Sequence, residues 1–184
     1  DMVGILHNPK MARPDLLARG FLDPTPQVPL GVPFPSIIYR PLTEASFALN
    51  LALGWGLTGL RLGNVLLHIG AAWLVFLIAL RLGNGLGTAA RPFAQWTALF
   101  FALHPLGSQA VTYAYQRFTG LEAALGFLAV LLYLKARTEA SPFVSPRYWG
   151  AFGAAFLATI AKETAVTLPL VLAAIEWILR EPGS

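Results

Sequence analysis

The pairs His104-Pro105, Gln116-Arg117 and Lys162-Glu163 each stand where an apolar run of this chain stops or starts. Counting the runs puts all three at the same end of them, together with Tyr39-Arg40-Pro41 and Asp1 in the polar stretch before the runs begin. These residue types suit one kind of chemistry. A guanidinium is a planar fork matched to phosphate oxygens, and an ammonium is a compact charge with three donors. Arg40, Arg117 and Lys162 are therefore candidates to hold a phosphate or diphosphate at headgroup depth. A carboxylate on the same face takes a proton from an acceptor hydroxyl as the phosphate leaves. That combination describes glycosyl or phosphoryl transfer with general-base and electrostatic assistance.

Each grouping also has a plainer reading. Pro105 is an ordinary helix stop and His104 an ordinary interfacial residue. Arg117 or Arg40 at a span end can snorkel to lipid phosphate. Lys162-Glu163 can close a tight turn as an ion pair. The turn would form equally with Gly or Asn and no desolvation cost, so the two charges favour a functional role. Convergence on one face adds to that.

Composition decides where the elements lie. Of 184 residues, 56% are hydrophobic and 12% charged, against about 25% charged in soluble domains. The chain reads as an all-α, multi-pass transmembrane bundle. With no cysteine, a disulfide framework and a thiolate metal site are excluded. The remaining His and carboxylates show no metal-ligand spacing, so no metal is expected. The net charge of +4 is what span ends and loops collect, and no basic run or motif calls for nucleic acid. The chain opens without Met or a signal-peptide pattern, and is expected to be part of a longer protein.

Residues 1–59 read as an outer, periplasmic loop and 60–184 as the transmembrane domain. The loop is proline-rich, with a short helix expected at Pro14–Arg19 and an interfacial helix at 43–53. About five spans follow: Leu60–Leu80, Pro92–Leu103, Phe118–Leu134, Tyr148–Ala161 and Thr164–Leu179. Arg81, Arg91, Lys135, Arg137, Arg147 and Arg180 fill the short loops at one end, which the positive-inside rule makes cytoplasmic. The candidate residues then face outward. Asn64 and His68 share a face of the first span and suit hydrogen bonds across helices. Glu176 is expected to pair with Arg180, and Glu122 to neutralise Arg117. Trp55, Trp149 and Trp177 read as interface-belt residues. The glycine-rich GNGLG at 83–87 lacks the strand and the GK[ST] ending of a phosphate loop.

The order ILHNP, YRPLTEASFALN, NVLLH, LFFALHPLGSQAVTYAYQR, LLYLKAR and AKETAVTLPLVL resembles the membrane domain of the transmembrane and tetratricopeptide-repeat O-mannosyltransferase family. Its bacterial relatives are the nearest in pattern, and the match runs from Ile5 to Trp177. The resemblance implies a GT-C-class integral-membrane glycosyltransferase of a bacterial inner membrane. The donor it implies is a polyprenyl-phosphate sugar, mannose in the parent family, with no other cofactor. The acceptor is a protein hydroxyl, and membrane lipid surrounds the site. Family members carry an acidic pair before an Asn-Pro-like segment. Asp1, ahead of Asn8-Pro9, matches its second acid and is thereby the candidate catalytic base, or the residue that positions it. Similarity assigns the lipid phosphate to Arg40, Arg117 and Lys162, with Tyr39, His104, Gln116 and Glu163 shaping the site. No repeat of about 34 residues is visible.

A rival from a different class is a non-catalytic accessory subunit of a larger membrane complex, respiratory or photosynthetic. Its short second and fourth spans would be buried against other membrane subunits. A transporter is the weaker third, because Pro169 is the only proline well inside a span.

Overall fold

A computed structural model describes residues 40–179, which form helices joined by turns, bends and single irregular residues, with no strand among the described residues. The expectations on Asp1, Tyr39, the helix at 14–19 and Arg180 lie outside the described residues.

Helix α1 spans Pro41–Ala52. It opens on a proline, whose missing N–H leaves one fewer donor unsatisfied in the first turn. The chain then turns sharply through Gly54 and Gly56, at φ 69° and 53°, left-handed values that a side chain would disfavour. Asn50 pins this turn by donating from Nδ2 to the Gly56 carbonyl at 3.0 Å. Helix α2 spans Gly56–Leu82. A 3-10 stretch broken at Gly87 (φ 56°) reverses the chain into α3, Ala90–Leu103.

The link after α3 is two 3-10 turns around a single helical turn, α4, Ser108–Thr112. Helix α5 spans Arg117–Ala136 and α6 spans Pro146–Ala161. Ser145 caps α6 by accepting from the Arg147 N–H at 3.1 Å, the usual role of a serine before a helix. A 3-10 segment, Glu163–Thr167, leads into α7, Leu168–Leu179.

The cross-helix bonds fix the directions. Asn64 meets Arg117 near the start of both α2 and α5, and Arg81 Nε donates to the Leu134 carbonyl near the end of both, at 3.0 Å. Helices α2 and α5 therefore run the same way. Helix α3 runs against α2, with His68 Nε2 and the Ala102 carbonyl 3.0 Å apart. Helix α6 runs against α5, since Lys162 after its last turn reaches Thr119 and Glu122. Helix α7 runs with α5, because Tyr133 and Arg137 both donate to Glu176 Oε2, at 2.9 and 3.1 Å. All the described candidate residues thus gather at one end of the bundle, and Arg81, Arg137 and Glu176 at the other.

The packing is that of an inverted soluble protein. Its buried positions are mostly small: Ala71, Ala79, Ala94, Ala129, Ala154 and Ala158 are nearly sealed. Large apolar side chains point outward, among them Leu66, Trp73, Phe100, Phe156 and Trp177. Burying alanine lets helices approach closely, and exposing aromatic and Leu side chains suits a lipid solvent. Two stretches, Gly56–Leu103 and Ala114–Ala136, are long and apolar enough to cross a membrane. Gly87 divides the first, so α2 with its 27 residues supplies that crossing. Each of the five expected spans is present as a helix. Helices α3, α6 and α7, at 14, 16 and 12 residues, are shorter than the ~20 a bilayer asks of one helix.

Candidate functional site

The site begins with Lys162, which ends α6. Its backbone is extended (φ −157°, ψ 135°), so Lys162 and Glu163 leave the helix in different directions and do not pair with each other. Glu163 goes to α1: its carboxylate accepts from Arg40 Nη2 at 2.7 Å and Nε at 3.0 Å. This is a two-point fork that only arginine makes. Lys162 goes to α5, with Nζ 3.3 Å from Glu122 Oε2 and 3.5 Å from the Thr119 hydroxyl. Glu122 Oε1 accepts a further, short hydrogen bond from the Thr164 hydroxyl.

One ring organises both cations. The Arg40 guanidinium carbon lies 4.0 Å from the centre of Phe118, and Lys162 Nζ lies 5.4 Å from it. Both are within reach of the ring's negative face. The Arg40 side chain is 12% exposed and its Glu163 partner 62%, so the cation is tucked inward with the carboxylate outside it. The Arg40 fork holds the Glu163 carboxyl at about 2, well below the usual carboxylate range; its own backbone N–H adds to this, and Lys162 contributes less. Arg40 also anchors α1 alongside Thr43, whose hydroxyl donates to the Ala161 carbonyl at 3.1 Å.

Arg117 sits behind this cluster and faces inward, 5% exposed. Its Nε donates to Asn64 Oδ1 at 3.1 Å, its Nη2 to the carbonyls of Leu60 at 2.6 Å and Gly59 at 3.5 Å, and its Nη1 to the Ser46 carbonyl at 3.3 Å. The guanidinium lies over the Phe47 ring at 5.2 Å. It therefore joins α1, α2 and α5, and four of its five N–H donors are engaged. Asn64 completes the joint by donating to the Tyr113 carbonyl at 2.9 Å.

The described candidates divide into groups. Arg40, Lys162 and Glu163 meet at Phe118. Gln116 reaches the edge of that cluster, its Oε1 accepting from the Thr119 hydroxyl at 3.0 Å. His104 does not join it. Its Nδ1 accepts from the Leu106 N–H and its ring packs on Phe100, beside an open apolar groove lined by Trp96, Leu99 and Leu103.

One expected pairing is corrected. Glu122 takes Lys162 and Thr164, not Arg117. Five residues on a helix turn the side chain about 140° away, whereas Glu122 is one turn beyond Phe118, on the stripe that Lys162 faces. Glu176 accepts from Tyr133 and Arg137 of α5, and its expected pairing with Arg180 lies outside the described residues. The hydrogen bonds expected of Asn64 and His68 across helices are both present. Glu122, Phe118, Thr119 and Thr164 were not among the candidates, although the four-residue step from Phe118 to Glu122 was the signal that could have found them.

The class these features define is an all-helical protein with two membrane-length helices and a cation–carboxylate cluster at one end of the bundle. The chain is similar to the Protein O-mannosyl-transferase Tmtc1 of Drosophila melanogaster, being 34% identical over 140 residues, 72% of this chain and 15% of that protein. It thus spans a small part of the relative's length. The likeness supports the O-mannosyltransferase resemblance and the reading as an integral membrane protein. No family model matches the chain, and no solved structure does.

Proposed function

We propose that this chain belongs to the membrane domain of a GT-C-type glycosyltransferase, a bacterial-type relative of the O-mannosyltransferases held by five helices in the inner membrane. The reaction moves a mannosyl group from polyprenyl phosphate to a protein hydroxyl on the outer face. The observation that carries this reading is the pair of cations on one ring. Arg40 and Lys162 both sit against Phe118, each backed by a carboxylate, at one end of an apolar bundle where a lipid phosphate would lie. The likeness to Tmtc1 supports the reaction class.

In this reading Arg40 and Lys162 bind the donor phosphate and stabilise the negative charge that grows on it as the bond to the sugar breaks. Asp1 accepts the proton of the acceptor hydroxyl, whose oxygen bonds to the anomeric carbon while polyprenyl phosphate departs. Gln116 and Glu163 shape the site. Arg117, with most of its donors turned into the bundle, positions the α1–α2–α5 end on which the phosphate-binding residues stand. Helices α3, α6 and α7 complete the membrane domain by packing against neighbours, which relieves the length each would need alone.

The test uses the whole protein carrying this chain, in membranes, with radiolabelled mannose on polyprenyl phosphate. Wild type is expected to label protein hydroxyls, and Asp1→Asn or the pair Arg40→Ala and Lys162→Ala to abolish labelling without loss of membrane insertion. A wild type inert with every lipid-linked sugar, and isolated only as part of a larger membrane assembly, would overturn this reading in favour of the accessory subunit.

A further inference from the structure

Glu122 has no part in the phosphate binding described above, yet its surroundings are built with care. Its side chain is 20% exposed and that of Lys162 21%, so both charges are largely withdrawn from solvent. Both carboxylate oxygens accept: Oε1 from the Thr164 hydroxyl and Oε2 from the Lys162 ammonium. The second tie on Lys162 is also directed. Thr119 donates its hydroxyl proton to Gln116 Oε1, which turns the hydroxyl oxygen toward Lys162 as an acceptor. Glu122 and Thr119 thereby take two of the three ammonium N–H groups. The third has no hydrogen-bond partner among the described residues, and the ammonium stands 5.4 Å from the centre of the Phe118 ring on which Arg40 also packs.

We propose that Glu122 is a positioning residue for the donor site. With Thr164 steadying its carboxylate, it holds the Lys162 ammonium so that its remaining N–H addresses an anionic oxygen of the lipid-linked sugar. This rests on the glycosyltransferase reading for its ligand, and on geometry alone for the coupling of Glu122 to Lys162. A structural salt bridge would serve equally well with any orientation of the ammonium. A positioning residue acts on the donor and leaves the acceptor untouched.

Two measurements on the whole protein separate these possibilities. In initial-rate kinetics, Glu122→Gln is expected to raise KM for the polyprenyl-phosphate sugar about tenfold, the scale of one charge-assisted hydrogen bond. The acceptor KM is expected to stay unchanged and Glu122→Asp to recover most of the loss. Glu122→Gln added to Lys162→Met is expected to cost nothing further. An unchanged donor KM, equal effects on donor and acceptor, or full additivity with Lys162→Met would overturn the proposal.

The second measurement needs no activity. Acylation of Lys162 by an amine-reactive ester at mildly alkaline pH, read by mass spectrometry, is expected to accelerate several-fold in Glu122→Gln and in Thr164→Val. Equal rates in wild type and variants would overturn the coupling. A wild type that transfers no sugar would remove the donor role along with the proposed function, while the acylation rates would still decide whether Glu122 governs Lys162.

Discussion

Arg117 Nε donates to Asn64 Oδ1 at 3.1 Å across the α2–α5 boundary, and the same asparagine donates to the Tyr113 carbonyl. One side chain therefore satisfies a buried guanidinium and the backbone of the turn that delivers it. Asn64→Leu, similar in volume, removes both bonds and leaves a charged donor and a carbonyl without partners. The expected loss is about 1–3 kcal/mol, read as a lower unfolding temperature in detergent. Asn64→Asp keeps an acceptor for Arg117 and loses only the donor to Tyr113, so it should be the milder change.

Gly63 is required by the same guanidinium. A Cβ at this position would stand 2.6 Å from Arg117 Nη2, and the guanidinium cannot retreat without breaking its bonds to Leu60 and Asn64. Gly63→Ala should destabilise by about 1–3 kcal/mol, as overpacking does. Gly70, on the same helix with nothing within 4 Å of a Cβ, is the internal control. Gly70→Ala should be neutral or slightly stabilising. Thermal unfolding of the two variants side by side checks the contrast.

The Arg40–Glu163 fork makes a pH signature. The Arg40 fork holds the Glu163 carboxyl at about 2 in the folded protein, below the 4.5 of an ordinary glutamate. A depressed folded value means that the pair's contribution is fully present above about 4.5 and fades as pH falls toward about 2. Because the carboxylate is mostly exposed, that contribution is small, under about 1 kcal/mol. The unfolding temperatures of wild type and Glu163→Gln should differ at neutral pH, and less so in high salt, then converge across this acidic window. A gap that widens on acidification would contradict the assignment.

This chain has no cysteine of its own, so single cysteines can be placed within it one at a time. Gln109, in the link between α3 and α5, and Ser141, before α6, are both exposed and lie at opposite ends of the bundle. With the proposed orientation, an impermeant thiol reagent applied to intact cells should modify Gln109→Cys and spare Ser141→Cys. Disruption of the membrane should equalise them. The reverse pattern would turn the cluster toward the cytoplasm and remove the outer-face reaction.

Much of the helix layout was legible because apolar runs and proline or glycine punctuation are local signals. The expected Leu60–Leu80 became Gly56–Leu82, Pro92–Leu103 became Ala90–Leu103, and Phe118–Leu134 became Arg117–Ala136. The last expected span, Thr164–Leu179, was less well drawn. Its first turn is 3-10 and the α-helix starts only at Leu168, a difference in hydrogen-bond spacing that hydropathy does not register. The site was half legible. That Arg40, Lys162 and Glu163 share one end followed from counting helices. Which cation meets which carboxylate did not.

The sequence alone determined an all-helical, lipid-suited chain whose candidate charges lie at one end, because hydropathy and periodicity are properties of consecutive residues. Only the tertiary structure decided the partners. Arg40 and Glu163 are 123 positions apart, and Arg117 and Asn64 are 53 apart. Such pairings depend on how far one helix slides and rotates against another, and a turn of about 100° per residue suffices to send Glu122 away from Arg117 and onto Lys162. The same rotation turned Arg117 into the bundle and left Lys162, with one N–H unclaimed among the described residues, beside Phe118.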